Sequence, residues 1–324
     1  MSQLEPERKR ARTWKNYAYL VFAGLVTGAA NVIPGVSGGT MAFIMGIYEE
    51  LLDAIKTFDL RLAQLLLRGR FRAALDHVPW RFLLPLGAGL ALAIFALAGL
   101  ISWLLTYQTV LLYAFFFGLI LASIVSISVE LRWGVGTLAA LLLGTVLAWI
   151  LIGMVPREMP HTPLILFASG VVAVIAMILP GISGSFILLI MGQYNYVLEQ
   201  IKTLDILGLL PVAAGIAAGI IGFVRFLSWL LRHYHQATIA LLTGFMLGSL
   251  RKIWPFKEVL ETIVDRHGQA VPIREINVMP DFTGAVFWEA LALCLLGFLL
   301  ISALDHAQTR KNPFVRLCAR IGRH

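Results

Sequence analysis

The chain has 324 residues, of which 59% are hydrophobic and 14% are charged, and its mean hydropathy of +0.83 excludes a soluble globular protein. This length supplies several membrane spans of about 20 residues each and leaves no large soluble domain. The formal net charge of +8 does not indicate nucleic-acid binding, because the Lys and Arg residues lie in short loops and tails rather than on a basic face interleaved with aromatic residues.

The apolar runs predict an all-α polytopic membrane protein made of two halves between basic tails. Residues 1–16 are interpreted as a retained cytoplasmic tail, since no cleavage site of small residues follows them. The first half, 17–155, comprises a broken segment at 17–55 and spans at 82–104, 110–129 and 135–155. The second half, 164–304, comprises a broken segment at 164–201 and spans at 207–231, 235–251 and 284–304. Residues 305–324 form the second basic tail, also predicted to be cytoplasmic.

The two halves are copies of one unit. Residues 24–59 align without gaps on 170–205, with identical residues at nearly half of the positions. The similarity resumes between 83–105 and 209–231, after an insertion in the first copy. Chance does not produce such a match, so the sequence indicates an internal duplication.

Each half begins with a hydrophobic stretch that a Pro-Gly-x-Ser-Gly motif interrupts, at 34–38 and at 180–184. Proline removes a backbone donor and glycine loosens the chain, so both motifs predict helix breaks at membrane depth. Each broken segment is either one kinked span or a re-entrant hairpin that returns to its own side. The hairpin alternative places most Lys and Arg residues on the cytoplasmic side, whereas kinked spans divide them about evenly.

Re-entrant hairpins predict an inverted-topology repeat. Each half then has one hairpin and three full spans, and this odd number of crossings turns the second half over relative to the first. The two broken tips are therefore expected to meet near the midplane, as in secondary transporters built from inverted repeats.

The tips carry the chemistry of an anion site. Helix N-termini offer free N–H groups, glycines permit close approach, and hydroxyls can donate hydrogen bonds to a phosphate or a carboxylate. Asn31 adds an amide in the first copy only, where Met177 is its counterpart. The alternative is a tight turn whose serines bond local carbonyls. The candidate phosphate-binding residues at the tips are Asn31, Gly35, Ser37, Gly38, Gly39, Thr40, Gly181, Ser183, Gly184 and Ser185.

Three charged residues extend this candidate site. Arg225 lies well inside a predicted span, where an arginine usually faces a cavity, a carboxylate or a bound anion; the alternative is that it snorkels to the headgroups. Asp53 and Glu199 occupy matching positions after the two hairpins and are candidates for proton coupling, although interfacial positions would explain them as well. We predict no metal site, no cofactor and no catalytic centre, because no metal-ligand spacing or catalytic motif occurs. The polar loop 254–283 receives no assignment.

The two motif regions carry a family resemblance. NVIPGVSGGTMAFIMGIYEELLDAI (31–55) and MILPGISGSFILLIMGQYNYVLEQI (177–201) resemble the paired motifs of the bacterial polyprenyl-phosphate transporter family, formerly a domain of unknown function. The resemblance covers nearly the whole chain between the tails. The family motif falls on Pro34, Gly35, Ser37, Gly38, Gly39 and Thr40, and on Pro180, Gly181, Ser183, Gly184 and Ser185.

The resemblance implies a non-enzymatic flippase of the bacterial cytoplasmic membrane. Its substrate would be undecaprenyl phosphate, moved from the outer to the inner leaflet for reuse in cell-envelope synthesis. The expected partners are this lipid and the surrounding membrane lipids, with no nucleic acid; the oligomeric state, including a homodimer, stays open. The principal alternative is a transporter or channel for a small soluble anion. A lateral opening to lipid would distinguish the two.

Overall fold

The computed structural model describes residues 13–33, 36–154, 156–157, 159–264 and 270–309, and these residues are mostly helical. The helices of the first half are α1 (Trp14–Val32), α2 (Gly38–Ile44), α3 (Tyr48–Lys56), α4 (Leu60–Leu67), α5 (Phe71–His77), α6 (Trp80–Tyr107), α7 (Thr109–Glu130) and α8 (Val135–Ile152). Those of the second half are α9 (Pro163–Ile178), α10 (Gly184–Ile190), α11 (Tyr194–Thr203), α12 (Ile206–His233), α13 (His235–Ser249) and α14 (Ala285–Thr309).

The short helices α2 and α10 start and stop at corresponding residues of the duplicated sequence, and so do the long helices α6 and α12. The chain leaves the helical conformation after α1 and after α9, and a seven-residue helix follows each break. Ser37 and Ser183, which precede these short helices, have nearly the same extended backbone, with φ −101° and ψ 132° in one and φ −100° and ψ 132° in the other. The motif therefore encodes one local conformation twice.

The helices pack in pairs within and between the halves. Within each half the first helix packs on the long one, α1 on α6 and α9 on α12; between the halves, α7 packs on α14 and α8 on α13. Glycine permits the close contact: a Cβ on Gly118 would lie 1.9 Å from the carbonyl oxygen of Cys294 on α14. The two halves thus interlock through backbone-close helix pairs, as expected of membrane helices that associate through small residues.

Among the residues that the structure describes, five helices are long and apolar enough to cross a membrane, so the chain is a multi-pass membrane protein. These segments are Trp80–Leu97, Thr109–Glu130, Val135–Ile152, Ile206–His233 and Ala285–His306. Large apolar side chains on their outer faces are exposed, for example Leu142 and Leu299, as a lipid-facing surface requires. The segment predicted as a span at 235–251 contains the 15-residue helix α13, which at about 1.5 Å per residue is only about 22 Å long.

The loop 254–283 contains a β-hairpin, which the sequence analysis left unassigned. Strands β1 (Lys257–Val264) and β2 (Ala270–Asn277) pair antiparallel, with Lys257 opposite Asn277. The β-branched residues in both strands favour this conformation. The Trp254 indole donates to the Val278 carbonyl at 3.0 Å, and the Asn277 amide donates to the Arg251 carbonyl at 2.9 Å, which anchors the hairpin at the end of α13.

Candidate functional site

The two breaks come into direct contact. We call residues 33–40 the first tip and residues 179–185 the second tip; Pro34 and the predicted site residue Gly35 lie outside the residues that the structure describes. The backbone N–H of Gly181 donates to Thr40 Oγ1 at 2.7 Å, and both residues are buried. A Cβ on Gly39 would lie 2.9 Å from the carbonyl oxygen of Met177. The fold therefore joins two motifs that are far apart in the sequence.

The first tip holds a capped helix start and a hydroxyl without a partner. Asn31 Oδ1 accepts a hydrogen bond from the Gly38 N–H at 2.9 Å. This backbone N–H was predicted to be free for an anion, and it is already bonded to the amide. Ser37 is only 3% exposed, and its Oγ has no hydrogen-bond partner among the described residues. A buried hydroxyl without a partner is energetically unfavourable.

The second tip differs in its side-chain chemistry. Ser183 Oγ and Ser185 Oγ lie 2.8 Å apart and form a hydrogen bond with each other, with Ser185 exposed. Gly184 approaches the end of α9 so closely that a Cβ would lie 2.7 Å from the Ala173 carbonyl oxygen. The two tips therefore share a backbone conformation at Ser37 and Ser183 but differ in the polar side chains that they carry. The sequence predicts this difference, because position 39 is glycine and its counterpart, position 185, is serine.

The charged candidates lie away from the tip contact. Arg225 is exposed on α12, and its Nη1 donates to the Ile221 carbonyl of the same helix at 2.9 Å; none of its contacts in the described part of the chain joins it to a tip. Asp53 is exposed on α3 and forms an ion pair with Lys56 one turn later. Glu199 is exposed on α11. The structure thus brings the tip residues together but not these three.

An apolar groove starts at the first tip. Its volume is about 350 Å³, and its lining consists of apolar side chains apart from Gln108 at the far end. The lining residues are Ala29, Ile33, Leu97, Leu100, Ile101, Leu104, Gln108, Leu111, Leu112, Phe115, Phe116 and Leu293. From Leu97 to Gln108 the groove follows α6 for about 16 Å. It exists because α1 ends at the break and leaves the space beyond it between α6 and α7 unfilled.

The long helix of the second half has a neighbour that the first lacks. Leu227, the counterpart of the groove residue Ile101, is buried in one cluster with Leu52 of α3. Helix α3 packs on α12, and His235 Nε2 at the start of α13 lies 3.1 Å from Glu49 Oε1 of α3. Within the described residues the equivalent helix α11 does not pack on α6 to a comparable extent. The two halves therefore differ in what covers their long helices.

Sequence reasoning identified the tips but missed the groove. The signal available in the sequence was the break after residue 33. Helix α1 packs along the first part of α6 but ends at this break, so the rest of α6 and the start of α7 lack that neighbour. The sequence pattern gave no sign that α3 packs on α12 while α11 does not pack likewise on α6, because both halves carry a helix at this position.

Comparison with known proteins places the chain in a family. Residues 27–271, which include both tips, match the model of a family described as VCA0040-like, undecaprenyl phosphate translocase-like. A polyprenyl-phosphate transporter of Vibrio cholerae serotype O1 is 41% identical over 266 residues, which cover 82% of this chain and 86% of that protein. A polyprenyl-phosphate transporter of Staphylococcus aureus is 31% identical over 254 residues, covering 72% of this chain and 85% of that protein. No solved structure matches the chain.

Proposed function

The chain belongs to the undecaprenyl phosphate translocase-like family, and we propose that it moves polyprenyl phosphate from the outer to the inner leaflet of the bacterial cytoplasmic membrane. The lipid carrier then becomes available again for cell-envelope synthesis. The observation that carries this proposal is the apolar groove that begins at the polar first tip. A site for a lipid phosphate needs a polar pocket for the head and an apolar channel for the tail, and these two features adjoin at Ile33.

The first tip suits a phosphate head. The Ser37 hydroxyl has no partner within the described residues and can donate to a phosphate oxygen. The Asn31 amide can do so through its nitrogen while its oxygen continues to cap Gly38. Ser183 and Ser185 can exchange their mutual hydrogen bond for bonds to the ligand. Such bonds replace part of the hydration that a phosphate loses on entering the membrane interior.

Alternating access follows from the proposed topology. In our proposal both broken segments are re-entrant, the halves are inverted, and both termini are cytoplasmic. The present arrangement, with α3 on α12 and an open groove beside α6, then corresponds to one of two states related by pseudo-symmetry. In the other state α11 would pack on α6, the first groove would close, and its counterpart in the second half would open.

The direction of transport sets an energetic requirement. The bacterial cytoplasm is electrically negative, so moving an anion inward opposes the membrane potential by about 2.3 kcal/mol per charge for each 100 mV. Proton coupling would offset this cost. In our proposal Asp53 and Glu199, the acids kept in both copies, are the candidates for carrying the proton.

The proposal is tested by leaflet-resolved transport of polyprenyl phosphate in proteoliposomes, with and without a proton gradient. We expect protein-dependent flipping that falls about tenfold in Ser37→Ala, because one hydrogen bond to a charged group is worth roughly 1.5–3 kcal/mol. Ser183→Ala should also slow transport. We expect a smaller loss in Arg225→Ala, since its guanidinium is bound to its own helix. Absence of flipping by the folded wild-type protein under either gradient would refute the proposal and favour transport of a small soluble anion.

A groove-filling variant separates the lipid substrate from a soluble anion. Leu97→Trp places a larger side chain in the groove without altering the polar residues of the tips. We expect it to reduce flipping of long-chain polyprenyl phosphate severalfold, because the tail loses its channel. Leu142→Trp, on the lipid-exposed face of α8, is the matched control and should transport normally. Equal rates in both variants would show that the groove does not hold the tail.

A further inference from the structure

A pair of lysines shares one carboxylate where the β-hairpin meets the helices. Lys257 Nζ lies 3.1 Å and Lys252 Nζ 3.5 Å from the same atom, Glu275 Oε2. Lys257 Nζ also donates to the backbone carbonyl of Lys252 at 2.7 Å. Two ammonium groups thus converge on one oxygen, and this lysine pair keeps one positive charge in excess of its counter-ion.

The three groups are partly removed from water. The side chain of Lys257 is 11% exposed and that of Glu275 is 23% exposed. Burial lowers the pKa of the Lys257 ammonium below its ordinary value, and the neighbouring Lys252 charge adds to this effect. Burial alone would raise the pKa of Glu275, but the two ammonium groups outweigh it and hold that pKa below its ordinary value. The group thus gathers three ionisable side chains in a place where charge is costly.

The lysine pair adjoins the second tip. Lys252 Nζ lies 5.3 Å from the ring centroid of Phe186, the residue that follows Ser185 in α10. Lys257 Nζ lies 4.9 Å from the ring centroid of Tyr113, near the start of α7. Aromatic rings hold both ammonium groups in place through cation–π attraction. The lysine pair therefore lies against α10, the short helix that follows the second tip, and against α7.

We propose that Lys252 and Lys257 form a docking site for a phosphate monoester and that Glu275 is an internal anion which the phosphate displaces. A phosphate offers three acceptor oxygens and up to two negative charges, so it satisfies two converging ammonium groups better than one carboxylate oxygen does. Glu275 contacts the lysines through its side-chain oxygen only, so a change of side-chain rotamer can withdraw it while the hairpin stays anchored. The inference rests on the proposed function in taking a phosphate as the ligand.

The test measures binding to the full-length protein in nanodiscs of neutral lipid, by calorimetry with two probes, inorganic phosphate and the short-chain geranyl phosphate. Glu275→Gln removes the competing charge and is expected to raise affinity about tenfold, which corresponds to one charge-assisted hydrogen bond. Lys257→Gln is expected to lower it by a similar factor. Glu258→Gln is the control and should leave affinity unchanged, because Glu258 is exposed and lies next to Lys257 on β1. A gain for both probes assigns the site to the phosphate itself, and a gain for geranyl phosphate alone assigns it to a lipid phosphate.

An unchanged or weaker affinity in a folded Glu275→Gln protein would overturn the docking site, because Glu275 would then be only a structural partner of the lysines. If Glu275→Gln does not fold, Glu275→Asp, with its shorter side chain, should still bind more tightly than the wild type, and failure to do so has the same meaning. The result is independent of flipping. A protein that binds phosphate as expected but transports no lipid would refute the proposed function and leave the docking site standing.

Discussion

Gly181→Ala is expected to abolish transport and to lower the free energy of unfolding by about 2–4 kcal/mol. Gly181 has φ +93°, a conformation that L-residues with a side chain rarely adopt. An added Cβ would also lie 2.7 Å from the Phe245 carbonyl oxygen and 2.9 Å from Ser249 Oγ. The backbone must therefore shift, and the Gly181 N–H would leave its acceptor, Thr40 Oγ1. The contact between the two tips would be lost together with the geometry of the site.

The measurement for this variant is thermal unfolding in detergent combined with the flipping assay. Gly222→Ala is the matched control, because Gly222 lies in α12 with no atom within 4 Å of an added Cβ. Alanine is the better helix former, so this control should be as stable as the wild type or slightly more stable. Normal transport by Gly181→Ala would show that the tips do not need their close contact for function.

Tyr48→Phe is expected to lower the free energy of unfolding by about 1–3 kcal/mol, because it leaves a buried carbonyl without its donor. The Tyr48 hydroxyl donates to the Ile178 carbonyl at 2.8 Å, and the Tyr48 side chain is almost fully buried. This bond joins α3 of the first half to the end of α9 in the second half. It therefore helps to hold α3 against the second half.

The duplication supplies the control for this variant. Tyr194 is the counterpart of Tyr48 at the start of α11, but it is exposed. Tyr194→Phe should leave the thermal midpoint almost unchanged, whereas Tyr48→Phe should lower it by several degrees. Equal effects of the two substitutions would contradict the asymmetry between α3 and α11 on which the proposed transport state depends.

Much of the candidate site was predictable because its signals are local. The motif Pro-Gly-x-Ser-Gly combines helix-breaking residues within a few positions, so it indicated both breaks, at Pro34 and Pro180, before any contact was known. The prediction that the tips carry hydroxyls and an amide needed only the residue types. The polyprenyl-phosphate family was likewise evident from the two motifs, and the comparisons confirm it.

The hydrogen-bond partners of those groups were not predictable. Some partners lie far away in the sequence, and others are nearby backbone groups that bind the side chain in place of a ligand. Asn31 was predicted to face an anion, and in the structure its oxygen caps Gly38. Arg225 lies inside the span Ile206–His233, as predicted, but its side chain is exposed and bonded to its own helix. The hairpin that carries Glu275 was missed because eight-residue strands with many charged residues resemble a polar loop.

The sequence by itself determined the membrane class, the duplication, the two breaks and the family, since composition, hydrophobic length and helix-breaking residues act within short segments of chain. Only the tertiary structure decided that Thr40 binds Gly181, that Ser37 keeps a buried hydroxyl without a partner in the described residues, and that a groove opens beside the first tip. The reason is physical: both halves encode the same local conformations, and the difference between them arises when α3 packs on α12 while α11 leaves α6 uncovered.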